Sequence, residues 1–182
     1  MIIGSSENAI DYLNRGKIIG YPTEGVYGLG CDPWNMKTVS KISQIKKRES
    51  NKLFLLVASQ ITHFETLIDI DSINNEVLSS WPGHTTWLIP AKKNTPEWLV
   101  NQENGLIAVR VSKHPIINEL CDKFNKPIIS TSANLSGSNN IMNKKEFINV
   151  FSETVDYLVE GNLGNSNKPS IIINMITGEK IR

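Results

Sequence analysis

An α/β domain built on a mixed, twisted open sheet is what this sequence predicts, and three observations predict it. Apolar runs of strand length alternate with stretches whose apolar residues recur at helical spacing. Prolines, glycines and short polar residues punctuate the boundaries. Some runs, such as Leu53 to Val57, are apolar throughout, as strands covered on both faces are. A chain of 182 residues with 40% hydrophobic content suits one domain with a substantial core.

The elements follow in order. Ser5 or Ser6 can cap a helix through Ala9, Ile10 and Leu13 that ends at Gly16. Lys17 to Tyr21 is a short strand bounded by Pro22. The glycine-rich stretch from there to Gly30 reads as a loop. Met36, Val39, Ile42 and Ile45 recur at helical spacing and predict a helix over about 36–47. Leu53 to Val57 is a buried strand. Ile73 to Trp81 is a helix stopped by Pro82-Gly83. Thr85 to Pro90 and Leu106 to Val111 are strands, and Pro115 to Phe124 is a helix opened by proline in its first turn. Pro127 to Thr131 is another buried strand. Phe147 to Phe151 marks a short helix and Val155 to Val159 a strand. Ser170 to Asn174 and Glu179 to Ile181 form a closing hairpin across Thr177-Gly178. No repeat, linker or low-complexity tract interrupts the series, so residues 1–182 read as a single domain.

Bulk composition narrows the function. The net charge of +1 provides no global attraction to nucleic acid or membrane, so any basic surface must be local. Cys31 and Cys121 form neither a metal spacing nor a disulfide framework and read as reduced thiols. No signal peptide and no membrane-length apolar run are evident, which predicts a soluble, cytoplasmic protein.

Three polar motifs carry the chemistry. Pro22-Thr23-Glu24-Gly25-Val26-Tyr27-Gly28-Leu29-Gly30 leaves a strand; its glycines let backbone approach a ligand, Thr23 adds a hydroxyl and Tyr27 an aromatic wall. It has neither Walker A nor dinucleotide-fold spacing, and a tight structural loop would have the same composition. Lys46, Arg48 and Lys52 crowd a predicted helix end, where they converge on an anion or simply solvate the helix terminus. Ser130, Thr131, Ser132 and Asn134 follow a buried strand, at an end of the sheet where open α/β folds bind ligands; a capping turn is the plainer reading. Arg110 sits inside the apolar run Leu106 to Val111 and must meet either a ligand anion or a buried carboxylate such as Glu24 or Asp32. His84 and His114 have no nucleophile or metal partner in the sequence and read as structural. No nucleophile elbow or metal cluster is present, so no metal ligation by protein side chains is expected.

Taken together, Pro22-Thr23-Glu24 with Tyr27-Gly28-Leu29-Gly30, Lys46-x-Arg48, Trp81-Pro82-Gly83, Val109-Arg110 with His114-Pro115, and Ser132-x-Asn134 resemble the Sua5/YciO/YrdC family, in its short bacterial form. The likeness runs the length of the chain in order, and the pairing of Lys-x-Arg with Ser-x-Asn is its specific part. It implies a wide, positively lined groove in an α/β twisted open sheet and no additional C-terminal domain. It also implies conversion of L-threonine, bicarbonate and ATP, with Mg²⁺, into threonylcarbamoyl-adenylate and pyrophosphate, for N6-threonylcarbamoyladenosine at position 37 of tRNA. The implied nucleotide contacts are Arg48, Lys52, Ser130, Ser132 and Asn134, with Lys46 completing the charged set. The implied threonine contacts are Thr23, Gly25 and Tyr27 in their loop, and Arg110. The implied partner is the tRNA threonylcarbamoyl transferase complex. Gly25, Glu49, Leu53 and His84 depart from the family pattern. Two other readings share the motifs: a double-stranded RNA-binding or ribosome-maturation module, which the near-neutral charge disfavours, and a YciO-type paralogue with another substrate.

Overall fold

A computed structural model describes residues 1–47, 53–166 and 169–182. Arg48 and Lys52 lie outside the described residues. Helix boundaries follow local chemistry. The Ser5 side chain caps α1 (Ser6–Asn14) by accepting from Asn8 N. Asn35 caps α2 (Met36–Lys46), which ends at Lys47 in the left-handed region at φ 49°. Asn74 and Asn143 cap α3 (Asn75–Ser80) and α5 (Lys144–Phe151). Proline opens α4 (Pro115–Phe124), and Asn125 closes it at φ 54°.

The strands are β1 (Ile2–Gly4), β2 (Ile19–Pro22), β3 (Tyr27–Gly30), β4 (Leu55–Ala58), β5 (Thr85–Pro90), β6 (Leu106–Val111), β7 (Ile128–Ser132), β8 (Tyr157–Val159) and β9 (Ile171–Asn174). They form one open mixed sheet in the order β1-β8-β2-β3-β7-β4-β6-β5-β9. Pairs such as β4/β6 and β5/β9 are parallel, whereas β2/β3, β3/β7 and β5/β6 are antiparallel. The predicted mixed α/β sheet is therefore present.

One element departs from expectation. The stretch to Gly30 is a loop only over residues 23–26; Tyr27–Gly30 is a fully buried strand, paired with β2 on one side and β7 on the other. Glycine serves packing here. A Cβ at Gly30 would lie 2.6 Å from the Ile129 carbonyl and 2.7 Å from the Tyr21 ring. The chain's start adds β1, which the sequence reading left unassigned. The closing hairpin is present: Asn174 N donates to the Glu179 carbonyl and Ile181 N to the Ile172 carbonyl, both at 2.9 Å, around an antiparallel bridge between Ile173 and Lys180.

The core follows the two-residue period of the strands. Leu56 and Ala58 of β4, Ile107 and Val109 of β6 and Trp87 of β5 pack with Val39 and Ile42 of α2 and with Phe147 and Phe151 of α5. The opposite face meets α1 and α4: Val57, Ile19, Tyr21 and Ile128 pack on Leu13, Ile117 and Leu120. On that same face, Leu55, Leu88 and Ala108 form a separate apolar patch with Leu53 and Ile172. Helices α1 and α4 cover only part of this face, and the remainder is the floor of a groove. Cys31 and Cys121 are free and buried, and burial pushes both thiols up. Among the described residues no helix is long and apolar enough to cross a membrane.

Candidate active site

The groove has a volume of about 1130 Å³. Strand parity decides what it presents: Leu55 of β4, Thr86 and Leu88 of β5, Ala108 and Arg110 of β6, and Ser130 and Ser132 of β7 all face it. Thr23 and Gly25 line it from the β2–β3 loop. Of the residues expected to form the site, the structure thus gathers Thr23, Gly25, Arg110, Ser130 and Ser132 on one surface. Lys46, Tyr27 and Asn134 support it from the sides. The expected positive lining turns on Arg48 and Lys52, outside the described residues; within them the groove has Arg110, Arg182 and Glu146.

Arg110 is buried and ion-paired to Glu24, Nη2 to Oε2 at 3.1 Å. Of the two carboxylates the sequence offered, Glu24 is the partner, while Asp32 accepts from Trp34 N at 2.9 Å. Arg110 Nη1 lies 3.0 Å from His84 Nδ1. Ser112 Oγ donates to Glu24 Oε1 at 2.7 Å. Burial raises the Glu24 carboxyl, but Arg110 and the Ser112 hydroxyl outweigh it and hold it below the usual carboxylate range. The pair is therefore charged, desolvated and fixed from several sides.

Lys46 is buried and points its ammonium at the Ser-x-Asn loop. Nζ donates to the carbonyls of Ser132 and, at 2.8 Å, Asn134, and to Asn134 Oδ1 at 3.0 Å. Asn134 Oδ1 also accepts from Ser132 Oγ at 2.6 Å. Asn134 Nδ2 donates to the Leu135 and Ser138 carbonyls at 3.1 and 3.0 Å. Lysine, serine and asparagine therefore brace one turn of backbone, which leaves Ser130 and Ser132 facing the groove. Tyr27 reaches the same turn through its backbone: Ala133 N donates to its carbonyl at 2.7 Å. Its ring packs on Phe147 at 5.4 Å between centroids.

The loop at 23–26 is closed by Thr23, whose N and Oγ1 both donate to the Val26 carbonyl, at 3.1 and 2.7 Å. A strap at 164–166 lies along it: Gly164 N donates to the Thr23 carbonyl and Ser166 N to the Glu24 carbonyl, at 2.9 and 2.8 Å. Gly25 permits this approach, since a Cβ there would stand 2.3 Å from the Ser166 carbonyl oxygen.

Groove-lining His84 and Arg182, and Ser166 behind His84, escaped the sequence reading. His84 was read as structural, yet it lines the groove beside Arg110. The available signal was parity, because His84 precedes β5 on the face of Thr86 and Leu88. Ser166 lies 3.3 Å from His84 Nε2. Arg182 donates to the Ser170 carbonyl and hydroxyl at 3.1 and 3.3 Å; burial, then the charge of Arg110, lowers its pKa. No local pattern announces the last two, since long-range contacts place Arg182 in the groove and Ser166 against His84.

Comparison with known proteins agrees with this architecture. Threonylcarbamoyl-AMP synthase of Pseudoalteromonas translucida is 42% identical over 178 residues, 96% of this chain and 95% of the relative. That of Coxiella burnetii is 42% identical over 181 residues, 98% of this chain and 96% of the relative. Among solved structures, P. abyssi Sua5 complexed with L-threonine superposes with a TM-score of 0.88 at 23% identity, over 99% of this chain and 56% of that one. E. coli YciO superposes at 0.82 with 24% identity, over 99% of this chain and 94% of its own; at such identities these two speak for the fold. Residues 11–182 match the Sua5/YciO/YrdC family, described as telomere recombination, and the chain belongs to that family.

Proposed function

We propose that this chain condenses L-threonine, bicarbonate and ATP into threonylcarbamoyl-AMP and pyrophosphate. The observation that carries the reading is 42% identity, along essentially the whole chain, to enzymes named for that product. The groove is compatible with it. The threonine amine and bicarbonate combine as a carbamate with loss of water, and a carbamate oxygen attacks the α-phosphorus of ATP while pyrophosphate leaves. This needs reactants held in line and phosphate charge stabilised, with no covalent enzyme intermediate.

Arg110 and the Thr23–Tyr27 loop would take the amino acid, the guanidinium meeting its carboxylate. Ser130 and Ser132 would meet the nucleotide, on a turn that Lys46 and Asn134 hold in place. Arg48 and Lys52 complete the proposed phosphate contacts. ATP would enter as its Mg²⁺ complex, the cation riding on phosphate oxygens and water. The product would pass to the transferase complex that modifies tRNA. Pyrophosphate release with threonine, bicarbonate and ATP each omitted in turn tests the reading. Release that requires all three is expected; release indifferent to threonine would overturn it.

A further inference from the structure

We infer that His84 is a positioning residue for amino-acid recognition, aligning the Arg110 guanidinium that meets the substrate carboxylate. This rests on the synthase reading above and names one more residue that serves it.

The arrangement fixes the imidazole's chemistry. A guanidinium has five donors and no acceptor, so the His84 Nδ1 at 3.0 Å from Arg110 Nη1 must present a lone pair. The ring is then neutral, with its proton on Nε2. That nitrogen lies 3.3 Å from Ser166 Oγ, which accepts from it. The histidine backbone is held on both sides: Gly83 N donates to the Val111 carbonyl at 2.9 Å, and Ile171 N to the His84 carbonyl at 3.2 Å. One ring therefore joins the Arg110 wall to the strap that lies on the Thr23–Glu24 loop.

The guanidinium gains from this. Glu24 engages Nη2 at 3.1 Å and His84 engages Nη1, so the planar fork is stopped from turning about its stem. Arg110 Nε is buried and has no protein hydrogen-bond partner among the described residues. Arg110 itself is 4% exposed and lines the groove. A buried arginine that also lines a cavity suits a small carboxylate better than a purely structural role. A neutral acceptor is also the suitable second partner: it orients Nη1 without cancelling the charge that the substrate needs, as a second carboxylate would.

Paired substitutions separate the two faces of the ring. In His84→Asn the amide oxygen takes the place of Nδ1 and still accepts from Arg110. In His84→Gln the amide reaches the place of Nε2 and keeps only the Ser166 side. Titration calorimetry with L-threonine and, separately, ATP should show roughly tenfold weaker threonine binding for His84→Gln and His84→Ala, near-normal binding for His84→Asn, and ATP affinity unchanged in all three. Long-range ¹⁵N–¹H spectra of the wild-type protein should show the proton on Nε2. Equal threonine affinity in the Asn and Gln variants, equal losses for both substrates, or a proton on Nδ1 would overturn the assignment. Wild-type protein that binds threonine and releases pyrophosphate, with Asn and Gln alike, overturns this inference alone. Wild-type protein that binds no threonine overturns the synthase reading with it.

Discussion

Two buried cations flank the groove, and they are used in opposite ways. Lys46 spends its ammonium on a loop: two carbonyls and an amide oxygen of the Ser132–Asn134 turn surround it. Arg110 spends its guanidinium on side chains standing on other elements, the Glu24 carboxylate and the His84 imidazole. The compact lysine head, with three rotatable donors, suits converging backbone oxygens; the flat arginine fork suits a carboxylate edge and a ring nitrogen. Removing a cation that organises backbone moves a loop, and no partner substitution brings the loop back. Removing one paired to a carboxylate strands a charge, which a second substitution can neutralise.

The largest expected effect breaks the backbone-bound side. Lys46→Ala should cut adenylate synthesis by about 10²-fold or more while circular dichroism stays native, because the donors at the nucleotide lose their preorganisation. Near-normal turnover would remove Lys46 from the machinery.

The paired side should respond differently. Arg110→Leu leaves Glu24 buried without its cation and should cost ~3–5 kcal/mol in urea unfolding. It should also raise the threonine requirement far more than that for ATP. Adding Glu24→Gln should recover a large part of the stability but none of the threonine affinity. If the double variant is no more stable than the single one, the stranded-charge account of this wall fails.

Gly25→Ala sharpens the contrast at the strap. The new methyl would stand 2.3 Å from the Ser166 carbonyl oxygen, so 164–166 must move, at a cost of roughly 1–3 kcal/mol. Threonine binding should weaken with it and ATP binding should not. Wild-type stability and wild-type threonine affinity together would show that the strap does not bear on the amino-acid side.

Acid provides the smallest test. Glu24 is held below the usual carboxylate range, so its contribution is present at neutral pH and fades as pH falls through its lowered pKa. Burial lowers His114, against the raising influence of Glu24 and the Asn162 backbone. Stability should therefore begin to fall once pH drops below the ordinary histidine value of about 6.5, and fall further in the carboxylate range. Glu24→Gln should flatten the lower part of a melting-temperature profile and steepen the upper part, because His114 loses the charge that raises its pKa. An unchanged profile would place the acid sensitivity elsewhere.

Much of this protein could be read along the chain. The predicted spans of β5, β6 and α4 coincide with those observed, because each combines a clear apolar pattern with a proline or polar boundary. Arg110 stood out because an arginine within an apolar strand must be answered by an anion. The Ser-x-Asn turn stood out because short polar residues follow a strand too apolar to be exposed. The glycines at 28 and 30 misled, since composition does not distinguish a ligand loop from a strand packed tightly against its neighbours.

What the sequence determined by itself was local: element periods, caps, and which side chains could not be buried without a partner. Which partners they found was a tertiary matter. Glu24 rather than Asp32 answers Arg110, His84 belongs to the groove, and Lys46 ties down a turn 86 residues away. The order in which β7, β4, β6 and β5 lie side by side sets these pairings. That order depends on long-range hydrogen bonding and core packing, to which a short window of sequence is blind.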